Sequence, residues 1–280
     1  MPRPFELVDV FGAEALVGNP LAVIHYAGGL TAEEMLRITR WLNFSETTFL
    51  TDPTSPEADY AVRIFTPAHE LPFAGHPTLG SCHAWLRAGG VPRSAGQVIQ
   101  ECGAGLITIR RDSKRLAFAA PPLIRSGPAA RADLEEVASV LGVGPDEIVE
   151  ARWIDNGPGW IGVLLESADA VLALAPAKQH SRRIDIGVVG PHAPGGPCAF
   201  ELRALFTDQH GGLREDPVTG SLNASVAQWL FEIGRARGAY VAAQGTKIGC
   251  SGRIYLEEDA AGQIWVGGDT RTLFSGSSAD

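Results

Sequence analysis

The chain has 280 residues, 45% of them hydrophobic, with 33 Gly and 19 Pro, a composition that fits one large or two ordinary turn-rich globular units. Its formal net charge is −9, and its basic residues are scattered apart from short pairs such as Arg110-Arg111 and Arg182-Arg183, which excludes the basic footprint of a nucleic-acid or anionic-membrane binder. The four cysteines, Cys82, Cys102, Cys198 and Cys250, lack CxxC spacing, which argues against zinc and redox motifs and for reduced thiols.

The N-terminal MPRPFELVDVF enters a strand pattern directly, with no signal-like segment, and no apolar run reaches bilayer length, so a cytoplasmic protein is expected. FELVDVF and PLAVIHY read as strands; Thr31 then opens TAEEMLRITRWL, where Glu34 three positions on completes a capping-box pattern. ETTFL and YAVRIFT are strand-like, and a second helix is predicted from about Pro77 to Leu86, stopped by Gly89-Gly90. QVIQE, LITIRR and RLAFA return to strand. The stretch 121–132, PPLIRSGPAARA, breaks the pattern and marks a boundary, giving an N-terminal lobe over 1–125 and a C-terminal lobe over 126–280 whose last strand is free to pack on the first lobe. Asp133 is expected to cap LEEVASVL, and 219–237 reads as a further helix among the strand runs WIGVLLE, IDIGVVG, FELRALF, AYVAAQ, RIYLE and QIWVGG. The tail SGSSAD is expected to fray. The pattern is mostly antiparallel β with a few helices, an α+β chain.

Two stretches repeat. Phe65 to His69 (FTPAH) matches Phe206 to His210 (FTDQH), an offset of 206 − 65 = 141, and Trp85-Leu86 matches Trp229-Leu230, an offset of 229 − 85 = 144. Both offsets are half the chain, which predicts a duplication. In each half a small-residue turn, FAGHPTLG or EDPVTGS, opens a helix and exposes backbone N–H groups, the usual seat for an anion. The predicted site lies in a cleft between the lobes.

Common catalytic signatures are missing: there is no GxxxxGK[ST] or GxSxG, and GAGLIT at 103–108 runs from strand to strand rather than into a helix. His69, His76 and His83 fall seven apart, but Pro72 and Pro77 break any helix through them, so no metal site is expected. Acid–base chemistry without a cofactor remains. Glu46, in NFSETTFL beside Phe44 and Phe49, reads either as a carboxylate in an apolar pocket with its pKa raised for proton transfer or as a rim residue paired with an arginine. His76, between Gly75 and Pro77, either orients substrate and shares a proton or forms a structural cap. Asp216, before Pro217, is extended, and either projects into the cleft or caps its turn. Gly75, Gly220 and Ser221 offer amides at the two helix starts.

Taken together, GNPLAVI (18–24), NFSETTFL (43–50), FTPAHELPFAGHPTLG (65–80) and EDPVTGS (215–221) resemble the PhzF-like family of phenazine biosynthesis, and the likeness spans nearly the whole chain. The resemblance implies the diaminopimelate-epimerase fold: two similar lobes, each a mixed, largely antiparallel sheet wrapped around a central helix. It implies a cofactor-free isomerase that moves a proton within a small carboxylate-bearing substrate, in the best-understood branch a dihydro-hydroxyanthranilate, and a homodimer. Carried over by position, the proton shuttle falls on Glu46, the active-site histidine on His76, the assisting aspartate on Asp216, and the substrate-holding amides on Gly75, Gly220 and Ser221. Related epimerases and racemases place a cysteine in each lobe; here Ala74 and the Asp216-Pro217 region stand at those positions. A two-thiol racemase and a non-catalytic binding relative are the alternatives.

Overall fold

The computed structural model describes residues 2–112 and 115–279. The chain forms two compact units, one of Met1–Ala119 with Gly267–Asp280 and one of Ala120–Val266. In chain order the first unit contains β1 (Pro4–Val10), β2 (Asn19–Ile24), α1 (Ala32–Leu42), β3 (Glu46–Thr51), β4 (Tyr60–Phe65), β5 (Glu70–Leu71), α2 (Gly75–Arg87), β6 (Gln97–Cys102), β7 (Gly105–Arg111) and β8 (Leu116–Ala119). The second contains β9 (Arg125–Pro128), α3 (Arg131–Leu141), β10 (Glu150–Asp155), β11 (Trp160–Leu164), α4 (Ala168–Ala173), β12 (Asp185–Pro191), β13 (Phe200–Thr207), β14 (Leu213–Asp216), α5 (Gly220–Glu232), β15 (Ala239–Gln244) and β16 (Gly252–Glu258). The chain returns to the first unit along β17 (Ile264–Gly268) and ends in β18 (Thr270–Ser277).

The two units repeat one topology. In the first, strands pair in the order β18, β1, β2, β3, β4, β6, β7, β8; β2 with β3 and β4 with β6 are parallel, and the rest are antiparallel. In the second the order is β9, β10, β11, β12, β13, β15, β16, with β11–β12 and β13–β15 parallel and the rest antiparallel. The match reaches into single strands. The beginning of β4 (Tyr60, Ala61) lies parallel to β6 while its end (Ile64, Phe65) forms a hairpin with β5; likewise β13 gives Phe200 to Leu202 to β15 and Ala204 to Thr207 to β14. A parallel pair cannot be closed by a tight turn, so α2 and α5 are the crossovers that this pairing requires.

Those crossover helices are the centres of their units. From Gly75 to Cys82 every residue of α2 is buried, and α5 buries Leu222, Asn223, Ala224, Ser225, Val226, Ala227, Trp229 and Leu230. A helix buried all round needs small residues where it meets the sheet. A Cβ on Gly80 would fall 2.5 Å from Leu21 Cδ2, and a Cβ on Gly187 of β12 would fall 2.1 Å from Leu222 Cδ1. The close approach is thus made on the helix in one unit and on the strand in the other. α1 instead shows one apolar face, burying Met35 against Ala27, Phe49 and Phe65, with its charged residues outward. In the second unit α3 and α4 bury Val137, Val140, Leu141 and Val171 against Ile161, Val163, Ile186 and Val188.

Several local expectations change. Thr31 and Glu34 do form the capping box. Asp133, however, is the third residue of α3; its carboxylate reaches back to the Ala130 N–H at 3.3 Å, so the helix starts earlier than a cap at Asp133 would allow. α2 opens at Gly75, and Pro77 is its third residue, a position where a missing N–H costs nothing. The tail does not fray at Ser275: β18 runs through Ser277 and pairs with β1 along its length. Among the described residues no helix is long and apolar enough to cross a membrane.

Candidate active site

In the first unit three elements carry the predicted residues together. Glu46 is the first residue of β3, and the parallel register sets it beside Leu21 of β2. His76 is the second residue of α2. Its Nε2 lies 3.4 Å from Glu46 Oε2, and the Glu46 side chain is 16% exposed against 5% for His76. The carboxylate is therefore the more exposed member of the pair. On the ring's other side, Nδ1 lies 3.3 Å from Nδ2 of Asn19, the fully buried first residue of β2. Burial pushes the His76 imidazole down to about 3, so it is neutral at physiological pH.

The backbone at this helix start is equally suggestive. Ala74, the N-cap residue, supplies no side-chain cap, and the first turn of α2 holds no acidic residue. Thr78 N–H donates to Ala74 C=O, and Pro77 has no N–H, so the amides of Gly75 and His76 sit at the positive end of the helix dipole beyond its ladder. α1, by contrast, fills its start with Thr31, Glu33 and Glu34.

In the second unit Asp216 ends β14, Thr219 is the N-cap residue of α5, and Gly220 and Ser221 are its first two residues. Thr219 Oγ1–H donates to Asp216 Oδ2, so the carboxylate braces the turn. Gln244, fully buried at the end of β15, ties the segment down: its Oε1 accepts from Thr219 N at 3.0 Å and from Asn223 Nδ2 at 2.8 Å, while its Nε2 donates to Asp216 C=O at 3.2 Å and Thr219 Oγ1 at 2.9 Å. Ser221 accepts at Oγ from Trp160 Nε1, 3.2 Å, and at its carbonyl from Asn156 Nδ2, 2.9 Å. The first turn of α5 again holds no acidic residue.

Glu46, His76 and Gly75 are thus neighbours within one unit, and Asp216, Gly220 and Ser221 within the other. Asn19 and Gln244 were not among the predicted residues. Asn19 stands in the GNPLAVI stretch, whose asparagine, flanked by Gly and Pro at a strand start, was the available signal; nothing local marks Gln244. No cysteine occupies either helix start: Cys82 is inside α2, where burial pushes its thiol up to about 12, and Cys102, Cys198 and Cys250 lie elsewhere. Among the described residues no group of three or more His, Cys, Asp or Glu side chains is arranged to hold a metal ion.

This α+β fold is shared with known structures. The PhzF-family phenazine biosynthesis protein of Bacillus anthracis superposes with a TM-score of 0.82, covering 100% of both chains at 21% identity. In sequence, the family described as phenazine biosynthesis-like protein, PhzC-PhzF, matches residues 8–279. The antisense-enhancing sequence 1 protein of Schizosaccharomyces pombe is 33% identical over 98% of each chain. The trans-2,3-dihydro-3-hydroxyanthranilate isomerase of Pseudomonas aeruginosa is 31% identical over 92% of this chain and 91% of its own. The chain belongs to the PhzC-PhzF family of phenazine biosynthesis-like isomerases.

Proposed function

We propose that the protein catalyses cofactor-independent proton transfer within a small carboxylate-bearing substrate, with Glu46 as the single proton carrier. The observation that supports this most is the Glu46–His76 pair, a partly exposed carboxylate backed by a buried, neutral imidazole at an uncapped helix start. In the first half-reaction a substrate C–H bond breaks, its proton bonds to the Glu46 carboxylate, and the electron pair left behind delocalises into the substrate's conjugated system. In the second, the Glu46 O–H bond breaks and the proton bonds to a different carbon, which restores the carboxylate and leaves the substrate isomerised. No redox partner is consumed.

Each remaining residue has a role in this scheme. His76 holds Glu46, and the amides of Gly75, Gly220 and Ser221 bind substrate carboxylate and spread negative charge, which preorganised N–H donors stabilise without reorganisation. Asp216 positions the substrate and assists transfer. The relative from Pseudomonas aeruginosa is named for an anthranilate-type acid, which supports a carboxylate-bearing ligand for this chain as well. The resemblance also supports a cytoplasmic homodimer, which sedimentation at several concentrations tests.

The reaction is tested by incubating cyclic and amino-acid carboxylates in deuterated water and following isotope uptake by mass spectrometry. Removing a positioned acid–base group slows such a step by about 10²–10⁴-fold, and Glu46→Gln is expected to show that loss. Uptake at the wild-type rate in Glu46→Gln would remove Glu46 from the role.

A further inference from the structure

We propose that Asn19 is a positioning residue that fixes His76 in the tautomer whose Nε2–H points at Glu46. For its catalytic consequence this rests on the proton-carrier reading of Glu46; for the tautomer itself it rests on geometry alone. The Asn19 Nδ2 amide is a donor with no acceptor capacity, so a ring nitrogen 3.3 Å from it engages only as an acceptor. Nδ1 is then unprotonated, and the ring proton of the neutral imidazole sits on Nε2, 3.4 Å from the carboxylate oxygen Oε2 of Glu46. The opposite tautomer would set N–H against N–H on one side and a lone pair against a carboxylate on the other. The doubly protonated ring is disfavoured by burial.

Asn19 is held firmly enough to impose this choice. It lies at 0% exposure, its backbone paired with Val10 in the β1–β2 register. The loop that delivers it is gathered around the buried Asp9 carboxylate, which accepts from Leu16 N and Gly18 N, both at 2.9 Å. The fit there is tight: a Cβ on Gly18 would fall 2.3 Å from Val10 O and 2.4 Å from Asp9 Oδ1. Asp9 is turned to these amides, and the ionisable group beside Nε2 is Glu46. With Nε2–H aimed at Oε2 of Glu46 from 3.4 Å, proton abstraction is directed to Oε1, so one amide sets both the ring's tautomer and the working oxygen of the carboxylate.

The test is ¹⁵N NMR of the full chain, with the His76 ring assigned by its disappearance in His76→Gln. In the wild type, Nδ1 is expected to be unprotonated and to show a through-hydrogen-bond coupling to the Asn19 side-chain amide, with the ring proton on Nε2. Asn19→Leu is expected to lose the coupling and to lower turnover about 10–100-fold with little change in KM, the signature of a misdirected carboxylate rather than lost binding. Asn19→Asp, once its carboxylate ionises, is expected to draw the proton to Nδ1 and to raise the ring's pKa by about 1–3 units. A wild-type ring protonated at Nδ1 overturns the inference and needs no variant to show it; so does an Asn19→Leu protein that turns over at the wild-type rate. Should the tautomer be as stated while Glu46→Gln still exchanges deuterium, the positioning of His76 stands and the proton-carrier reading falls.

Discussion

The starts of α2 and α5 are built on the same plan and equipped for different tasks. Both open with a glycine, follow a short hairpin strand, close a parallel crossover and lack a side-chain cap from the N-cap residue. Around the start of α2 the polar side chains include an imidazole and a carboxylate 3.4 Å apart, with the Asn19 amide behind the ring, a set suited to handling a proton. Around α5 they are Asp216, Thr219, Asn223 and Gln244, tied to one another and to backbone, a set suited to holding its shape. The repeated topology gives two helix starts without a side-chain cap, and the Glu46–His76 pair stands at only one of them. The helix starts share one geometry, and the two units differ in the side chains that the neighbouring strands bring to it.

If that division is right, substitutions in the two units should fail differently. The largest stability effect is expected at Gln244→Ala, which leaves the Thr219 N–H and one N–H of the Asn223 amide without their buried acceptor at about 1–3 kcal/mol each; urea unfolding should show a loss of roughly 2–6 kcal/mol. Next comes Gly187→Val, where the added carbons meet Leu222; overpacking of this kind costs about 1–3 kcal/mol and should appear as a lowered thermal midpoint. Gly80→Val should cost a similar amount through Leu21, and a large difference between the two would break the symmetry between the units.

The first unit should also carry an acid sensitivity. His76 has its pKa lowered from 6.5 to about 3 in the folded protein, so below 6.5 the unfolded chain binds a proton that the folded one does not. Its contribution to stability is full above 6.5 and is lost as pH falls from 6.5 toward 3, with a slope of up to about 1.4 kcal/mol per pH unit. Denaturant titrations at stepped pH should show that slope shrink in His76→Gln. The smallest effect is expected at Ser221→Ala, which removes the acceptor of Trp160 Nε1: KM should rise a few-fold with kcat nearly unchanged, as for lost binding rather than lost chemistry.

Much of this arrangement was legible in the residues. Phe65 and Phe206, aligned by the repeat, close β4 and lie at the end of β13, and Trp85 and Trp229 fall in the last turns of α2 and α5. Glu46 and His76 were nameable because each sits beside a local signal, a strand start or a Gly-His-Pro turn. Asn19 was not, because its partner is 57 residues away and only the β1–β2 register and the burial of α2 bring the two together. Gln244 acts across 25 residues for the same reason. The strand beside β1 shows a further limit: in the second unit the corresponding strand, β9, precedes its partner in sequence, whereas in the first it is β18, from the far end of the chain. Periodicity identifies strands but carries no information on which of them pair.

The division of labour is tested most directly by deuterium uptake in Glu46→Gln and Asp216→Asn measured side by side on one substrate. Glu46→Gln is expected to reduce uptake by about 10²–10⁴-fold, while Asp216→Asn slows it less and leaves it measurable. Uptake that persists in Glu46→Gln and vanishes in Asp216→Asn would contradict it and move the proton carrier to the other unit.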